Sequence, residues 1–190
     1  MIRLSILLSF SFLLLSACEP RSQASTDTAR AQTPEASSGQ VEAKLAELGI
    51  TLPSASTPVA NYVNAVTTGK LVFLAGKGPK KEDGTYITGK VGRDLTEEEG
   101  YAAARLVAIN QLAALKAEIG DLDRVNRIVK VLGMVNATED FTNQPEVING
   151  FSDLMVEVFG EKGKHARAAV GMGSLPRNIA VEIEFIVELK

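Results

Sequence analysis

Near the end of the chain, Val181, Ile183, Phe185, Val187 and Leu189 alternate with Glu182, Glu184 and Glu188. Successive side chains of an extended strand point to opposite faces, so this stretch has one apolar face and one carboxylate face. The apolar face must pack on another layer. The carboxylate face needs solvent or another subunit. That alternation demands a sheet covered on one side, and the rest of the chain supplies the cover.

Two segments carry helix signals. Thr96 followed by Glu99 fits a capping box, with Glu97 and Glu98 favoured by the helix dipole. From there a helix is predicted to run to Gly120, with Ala102, Leu106, Ile109, Leu112, Leu115 and Ile119 on one stripe. Pro145 opens a second helix that runs through Phe159 to Gly160. Asn61 to Val66 and Lys70 to Ala75 read as strands around Thr67-Thr68-Gly69, a hairpin signal. Residues 77–94 read as a long loop, Arg127 to Val135 as a β-branched strand, and Ala166 to Met172 and Ile179 to Leu189 as the last two strands. A short helix at Val41 to Leu48 precedes them. The order is β-β-α-β-α-β-β. Two helices on one face of a mixed sheet make an α+β two-layer sandwich. The second face is expected to carry the carboxylates together with Arg167 from the neighbouring strand.

The chain has 190 residues, 45% hydrophobic and 23% charged, which is enough apolar content for one packed domain and excludes a wholly disordered chain. Lys and Arg total 20 against 23 Asp and Glu. That balance lacks the basic surface on which nucleic-acid binding depends, so no nucleic-acid partner is expected. One Cys and one His exclude an internal disulfide and a Cys/His metal site, and no metal is expected.

The single Cys closes a distinct front segment. Arg3 is followed by a run of Leu, Ile, Phe and Ser from Leu4 to Leu15, then by Leu15-Ser16-Ala17-Cys18. Charged, apolar and small residues in that order are those of a secretory signal, and the apolar run is too short to span ~30 Å of hydrocarbon comfortably. The tetrapeptide resembles the lipobox of bacterial lipoproteins, which implies acylation of Cys18 and a membrane partner through lipid. Glu19, where Asp would retain a lipoprotein at the inner membrane in enteric bacteria, favours the outer membrane. Residues 19–40 contain no Leu, Ile, Val, Phe or Tyr and read as a tether. The organisation expected is a signal over 1–17, a lipidated Cys and linker over 18–40, and a folded unit over 41–190.

Little in the chain suggests nucleophilic catalysis. His165 stands alone and reads as a solvated loop residue. Gly76-Lys77-Gly78-Pro79 and Gly171-Met172-Gly173-Ser174 match no phosphate-binding pattern and read as turns. By pattern alone, Arg167 with Glu182 and Glu184 is a cross-strand ion pair on a terminal hairpin.

The ending is more specific. His165-Ala166-Arg167-Ala168-Ala169-Val170, then Leu175-Pro176, then Ala180-Val181-Glu182-Ile183-Glu184 resembles the signature of the RidA family, also called YjgF. Pro58 to Pro79, with Tyr62 and Leu71-Val72-Phe73-Leu74-Ala75-Gly76, is similar to that family's first two strands. Phe141 to Phe159, with Asn149, is similar to its second helix. The resemblance covers residues 58–188. It implies a chorismate-mutase-like fold, a homotrimer, and sites in the clefts between subunits. It also implies hydrolysis of reactive enamines and imines, such as 2-aminoacrylate, to 2-keto acids and ammonia, without a cofactor. Carried over by position, Arg167 clamps the substrate carboxylate and Glu182 orients the attacking water. Tyr62, Gly76 and Asn149 line the pocket. A planar guanidinium suits the first role because it engages both carboxylate oxygens. For Glu182, Tyr62 and Asn149 the structural readings stay open beside these: an ion pair, a strand aromatic and a helix-to-loop hydrogen bond. Three residues depart from the family pattern: Ala75 replaces a common Ser, Ala169 a common Cys and Lys77 a common Gln.

Two functions follow. One is a tethered 2-iminobutanoate/2-iminopropanoate deaminase-like hydrolase. The other is a non-catalytic envelope module that holds a small carboxylate in the same cleft.

Overall fold

The computed structural model describes residues 39–58 and 60–190. Cys18 and the apolar run before it lie outside the described residues. Among those described, no helix is long and apolar enough to cross a membrane.

Among the described residues five strands form one mixed sheet: β1 (Ala65–Thr68), β2 (Leu71–Lys77), β3 (Val125–Asn136), β4 (Ala166–Met172) and β5 (Val181–Leu189). Their order across the sheet is β1-β2-β5-β3-β4. Only the β3–β4 pair is parallel. Three α-helices accompany them: α1 (Gln40–Glu47), α2 (Glu97–Ile119) and α3 (Gln144–Phe159). The fold is the α+β sandwich that the alternation of β5 demanded. Val181, Ile183, Phe185, Val187 and Leu189 are all buried, beneath α2 and α3. The interleaved Glu184 is exposed, and Glu182, Ile186 and Glu188 are half-buried on the other face.

Local rules set the helix ends. The Thr96 hydroxyl accepts from the Glu99 N–H at 3.2 Å, and the Glu99 carboxylate accepts from the Thr96 N–H at 2.8 Å. Asp123 does the same service for α1 from a distance in sequence, accepting from the Gln40 N–H at 2.8 Å and the Val41 N–H at 3.0 Å. Gly150 lets α3 approach α2, because a Cβ there would collide with the Tyr101 carbonyl. Across the same seam Arg105 donates to both oxygens of Glu157, at 3.1 and 2.6 Å.

Three expectations change. The first strand begins at Ala65 rather than Asn61, and the hairpin turns at Gly69, whose φ is +57°. The buried side of α2 is rotated at its start: Ala103, Ala104, Val107 and Ala108 face inward, while Ala102 is exposed and Leu106 half-buried. Small residues allow close approach there, and alanine gives a weak hydropathy signal. The third change matters most. β4 does not form a hairpin with β5, because β3 lies between them.

Candidate functional site

That strand order decides where Arg167 points. In register, Arg167 aligns with Val131, and Val131 with Phe185. Both partners are fully buried beneath the helices. Glu182 aligns with Met134, and Met134 with Val170, on the opposite face. Arg167 therefore does not share a face with Glu182 and Glu184. The expected cross-strand ion pair is absent, because its members point away from each other through the sheet.

On the helix side, Arg167 sits on the edge strand under α3. Its Nη1 donates to Asn149 Oδ1 at 2.8 Å and to Ser152 Oγ at 3.0 Å. Asn149 and Ser152 are three residues apart on α3, so one helix face presents both acceptors. Ser152 Oγ lies 3.1 Å from His165 Nε2, and His165 Nδ1 lies 2.6 Å from the Gly163 carbonyl. His165 is not the solvated loop residue expected from sequence. It is half-buried and packs edge-on against Phe151, with ring centroids 6.4 Å apart. Burial pushes its pKa down, the Gly163 carbonyl opposes that shift, and the Arg167 charge adds to it. Ala169 lies two residues along from Arg167 on the same side.

The second group lies across the sheet. Between Leu74 and Lys77 the β2–β5 register slips, so β2 carries one extra residue. Such a bulge re-aims the residues it contains. Gly76 sits in it, against the Glu182 side chain, and a Cβ at Gly76 would collide with the Glu182 carboxylate. The bulge interrupts the ladder, and fully buried Gln111 of α2 repairs it. Its Nε2 donates to the Ala75 carbonyl at 3.0 Å and to the Ile183 carbonyl at 2.6 Å. Glu182 is held by no described hydrogen-bond donor. Burial pushes its carboxyl above the usual range, and repulsion from Glu184 adds to the shift.

Tyr62 is 49% exposed, on the segment before β1. Asn64 anchors that segment, its Nδ2 donating to the Ser56 carbonyl at 2.7 Å. Lys77, next to Gly76, donates from Nζ to Asn64 Oδ1 at 2.8 Å. Burial lowers the Lys77 pKa, with repulsion from Lys80 adding to it.

The residues singled out from sequence thus fall into two groups. Arg167 and Asn149 meet on the helix side of β4. Gly76 and Glu182 meet at the bulge on the open face, with Tyr62 on the segment tied to it. Sequence reasoning passed over Ser152 and Gln111, and named Lys77 only as a departure from the family pattern. Gln111 left a signal, a polar residue inside an apolar helix stripe. Ser152 left a weaker one, its spacing of three from Asn149.

A family model described as "YjgF/chorismate_mutase-like, putative endoribonuclease" matches residues 42–189. A Trypanosoma cruzi protein called TCP17 is 48% identical over 153 residues, which span 80% of this chain and 96% of that one. A Dermatophagoides farinae protein called 2-iminobutanoate/2-iminopropanoate deaminase is 29% identical over 142 residues, 74% of this chain and 95% of that one. A crystal structure of Atu1372, a protein of unknown function from Agrobacterium tumefaciens, superposes with a TM-score of 0.73 at 45% identity, over 79% of this chain and 94% of that one.

Proposed function

The chain belongs to the YjgF/RidA family, and on that premise we propose that it hydrolyses small carboxylate-bearing enamines and imines to 2-keto acids and ammonia. Arg167 is the carboxylate clamp. A substrate of the form R–C(=NH)–COO⁻ lays its carboxylate against the guanidinium, and a water adds its oxygen to the imine carbon. The carbon–nitrogen bond then breaks, the water's protons go to nitrogen, and a keto oxygen remains. Glu182 orients that water. Burial, with the Glu184 charge, raises its pKa, which makes it a stronger base than an exposed carboxylate. Water is the only co-reactant the step needs.

Arg167 and Glu182 lie on opposite faces of one sheet. Within one subunit they cannot act on one substrate, so the site forms where the Arg167 side of one subunit meets the Glu182 side of the next. The open face supports such an assembly. Val66 is 54% and Phe73 42% exposed on it, a level of apolar exposure that subunit contact would relieve. A closed three-fold ring covers that face on every copy. We place this trimer in the cell envelope, held by acyl chains at Cys18.

The observation that carries the reading is the guanidinium of Arg167, fixed by Asn149 and Ser152, with no acceptor for its other donors among the described residues. The test is ammonia release from imines generated in situ by an amino-acid oxidase, with and without the protein. Release at the buffer rate for every imine tried would sink the hydrolase. The binding-module reading would then hold if 2-keto acids still bind. Ala75 and Ala169 favour that second reading, because they remove a hydroxyl and a thiol from the pocket.

A further inference from the structure

We propose that His165 is a positioning residue for the Arg167 clamp, acting through the Ser152 hydroxyl. The proposal deepens the reading of Arg167 as a carboxylate clamp and rests on it.

The direction of each hydrogen bond in the chain is forced. The Gly163 carbonyl can only accept, so the nitrogen 2.6 Å from it, His165 Nδ1, carries the proton. A neutral imidazole then has only an acceptor at Nε2. Ser152 Oγ, 3.1 Å away, must donate its one hydrogen there. With that hydrogen committed, the same oxygen faces Arg167 as an acceptor, and Nη1 donates to it at 3.0 Å. A backbone carbonyl thus fixes the tautomer, the tautomer fixes the hydroxyl, and the hydroxyl fixes the guanidinium. Burial favours the neutral ring this requires. Arg167 is the charged group whose field bears on it.

The chain of bonds also selects which edge of the guanidinium a ligand meets. Nη1 has two hydrogens, and Asn149 and Ser152 take both. Nε and Nη2 have no acceptor among the described residues. They form the side fork, the edge that binds both oxygens of a carboxylate in parallel. Without Ser152 Oγ as a committed acceptor, Nη1 is free to turn toward the ligand, and the fork loses its fixed direction. A neutral imidazole is needed for that commitment. A ring protonated on both nitrogens would turn the hydroxyl round.

His165 is the only histidine in the chain, so its ring nitrogens give a spectrum free of overlap. The experiment uses the full chain, with 2-oxobutanoate as the probe. Nitrogen-15 spectra at mildly alkaline pH should show the Nδ1-protonated tautomer. The Nε2-protonated tautomer would overturn the proposal without any variant being made. By calorimetry, His165→Phe keeps the edge contact with Phe151 but removes the acceptor, and Ser152→Ala removes the hydroxyl. Each should weaken 2-oxobutanoate binding roughly tenfold, the scale of a hydrogen bond to a charged group. The double variant should bind no worse than the weaker single, because both break one chain. Ser152→Thr, which restores a hydroxyl, should recover most of the affinity. Loss of binding in Arg167→Ala with unchanged binding in His165→Phe would overturn the role of His165 and leave the clamp standing. Unchanged binding in Arg167→Ala would overturn the clamp and this proposal together.

Discussion

Arg167 and Glu182 illustrate how a face assignment changes what a residue can be tested for. As an exposed cross-strand pair they would be worth under ~1 kcal/mol, and mutation would touch stability alone. On opposite faces they take separate tasks in the proposed reaction. Arg167→Ala should weaken 2-keto acid binding by ~2–5 kcal/mol, with little change in melting temperature. Arg167→Lys should recover little of that, since a point charge cannot replace the fork. Calorimetry beside thermal melting checks both halves. Glu182 makes a prediction with a definite sign. Burial and Glu184 hold its proton more tightly in the folded chain than in the unfolded one. The folded state therefore binds more protons in the window between the two pKa values, and stability falls as pH rises through it. Glu182→Gln should raise the melting temperature at about pH 8 and leave it unchanged at about pH 4, where the native Glu is protonated. A gain that is equal at both pH values would refute this account.

At the scale of elements, the bulge in β2 and the helix above it form one device. A strand with an extra residue leaves carbonyls without ladder partners, and Gln111 reaches down from α2 to serve two of them. Gln111→Ala would leave the buried Ile183 carbonyl and the half-buried Ala75 carbonyl without this donor, at a cost of about 2 kcal/mol. It should also lower turnover more than Ala substitution of a surface residue on α2, because the bulge it holds seats Gly76 against Glu182. Denaturant melts and ammonia assays on the same preparation test the two effects. The same elements show what a single chain reveals of itself. The alternation of β5, the Thr96–Glu99 box and the Gly120 stop were legible, because each depends on neighbours in sequence. The residues proposed for the site, Arg167, Asn149, Gly76, Glu182 and Tyr62, could be named from sequence only through family resemblance. Their grouping was not legible. It depends on β3 passing between β4 and β5, and no local pattern encodes strand order. Ser152 and His165 escaped for a related reason, since their bond joins a helix face to a loop thirteen residues away. The inward turn of α2 was misjudged because Ala103, Ala104 and Ala108 pack deeply with little hydropathy to announce it.

For the whole molecule, the two faces of the sheet motivate the proposed three-fold assembly. Light scattering on the purified protein should give about three times the mass of one chain, as a closed ring requires. A monodisperse monomer at micromolar concentration would remove any site built from Arg167 of one subunit and Glu182 of another. The anchor is tested separately. Cys18→Ser should release the protein from the membrane fraction, and labelled fatty acid taken up by the wild type should be lost.

The sheet order has one more consequence, for the sequence of events by which the chain becomes a protein. β5 follows the other four described strands in the chain, yet it lies at the centre, paired with β2 on one side and β3 on the other. Before it arrives there are two separate ribbons, β1 with β2 and β3 with β4, each exposing an unsatisfied edge. A nascent chain on the ribosome holds back the one piece that joins them. The sheet therefore cannot close until β5 is made, and the closing step pairs residues far apart in the chain, which slows it. For a polypeptide that must be threaded through a membrane before it folds, as the lipid-anchored reading requires, a keystone delivered last keeps the cargo pliable for the length of the journey.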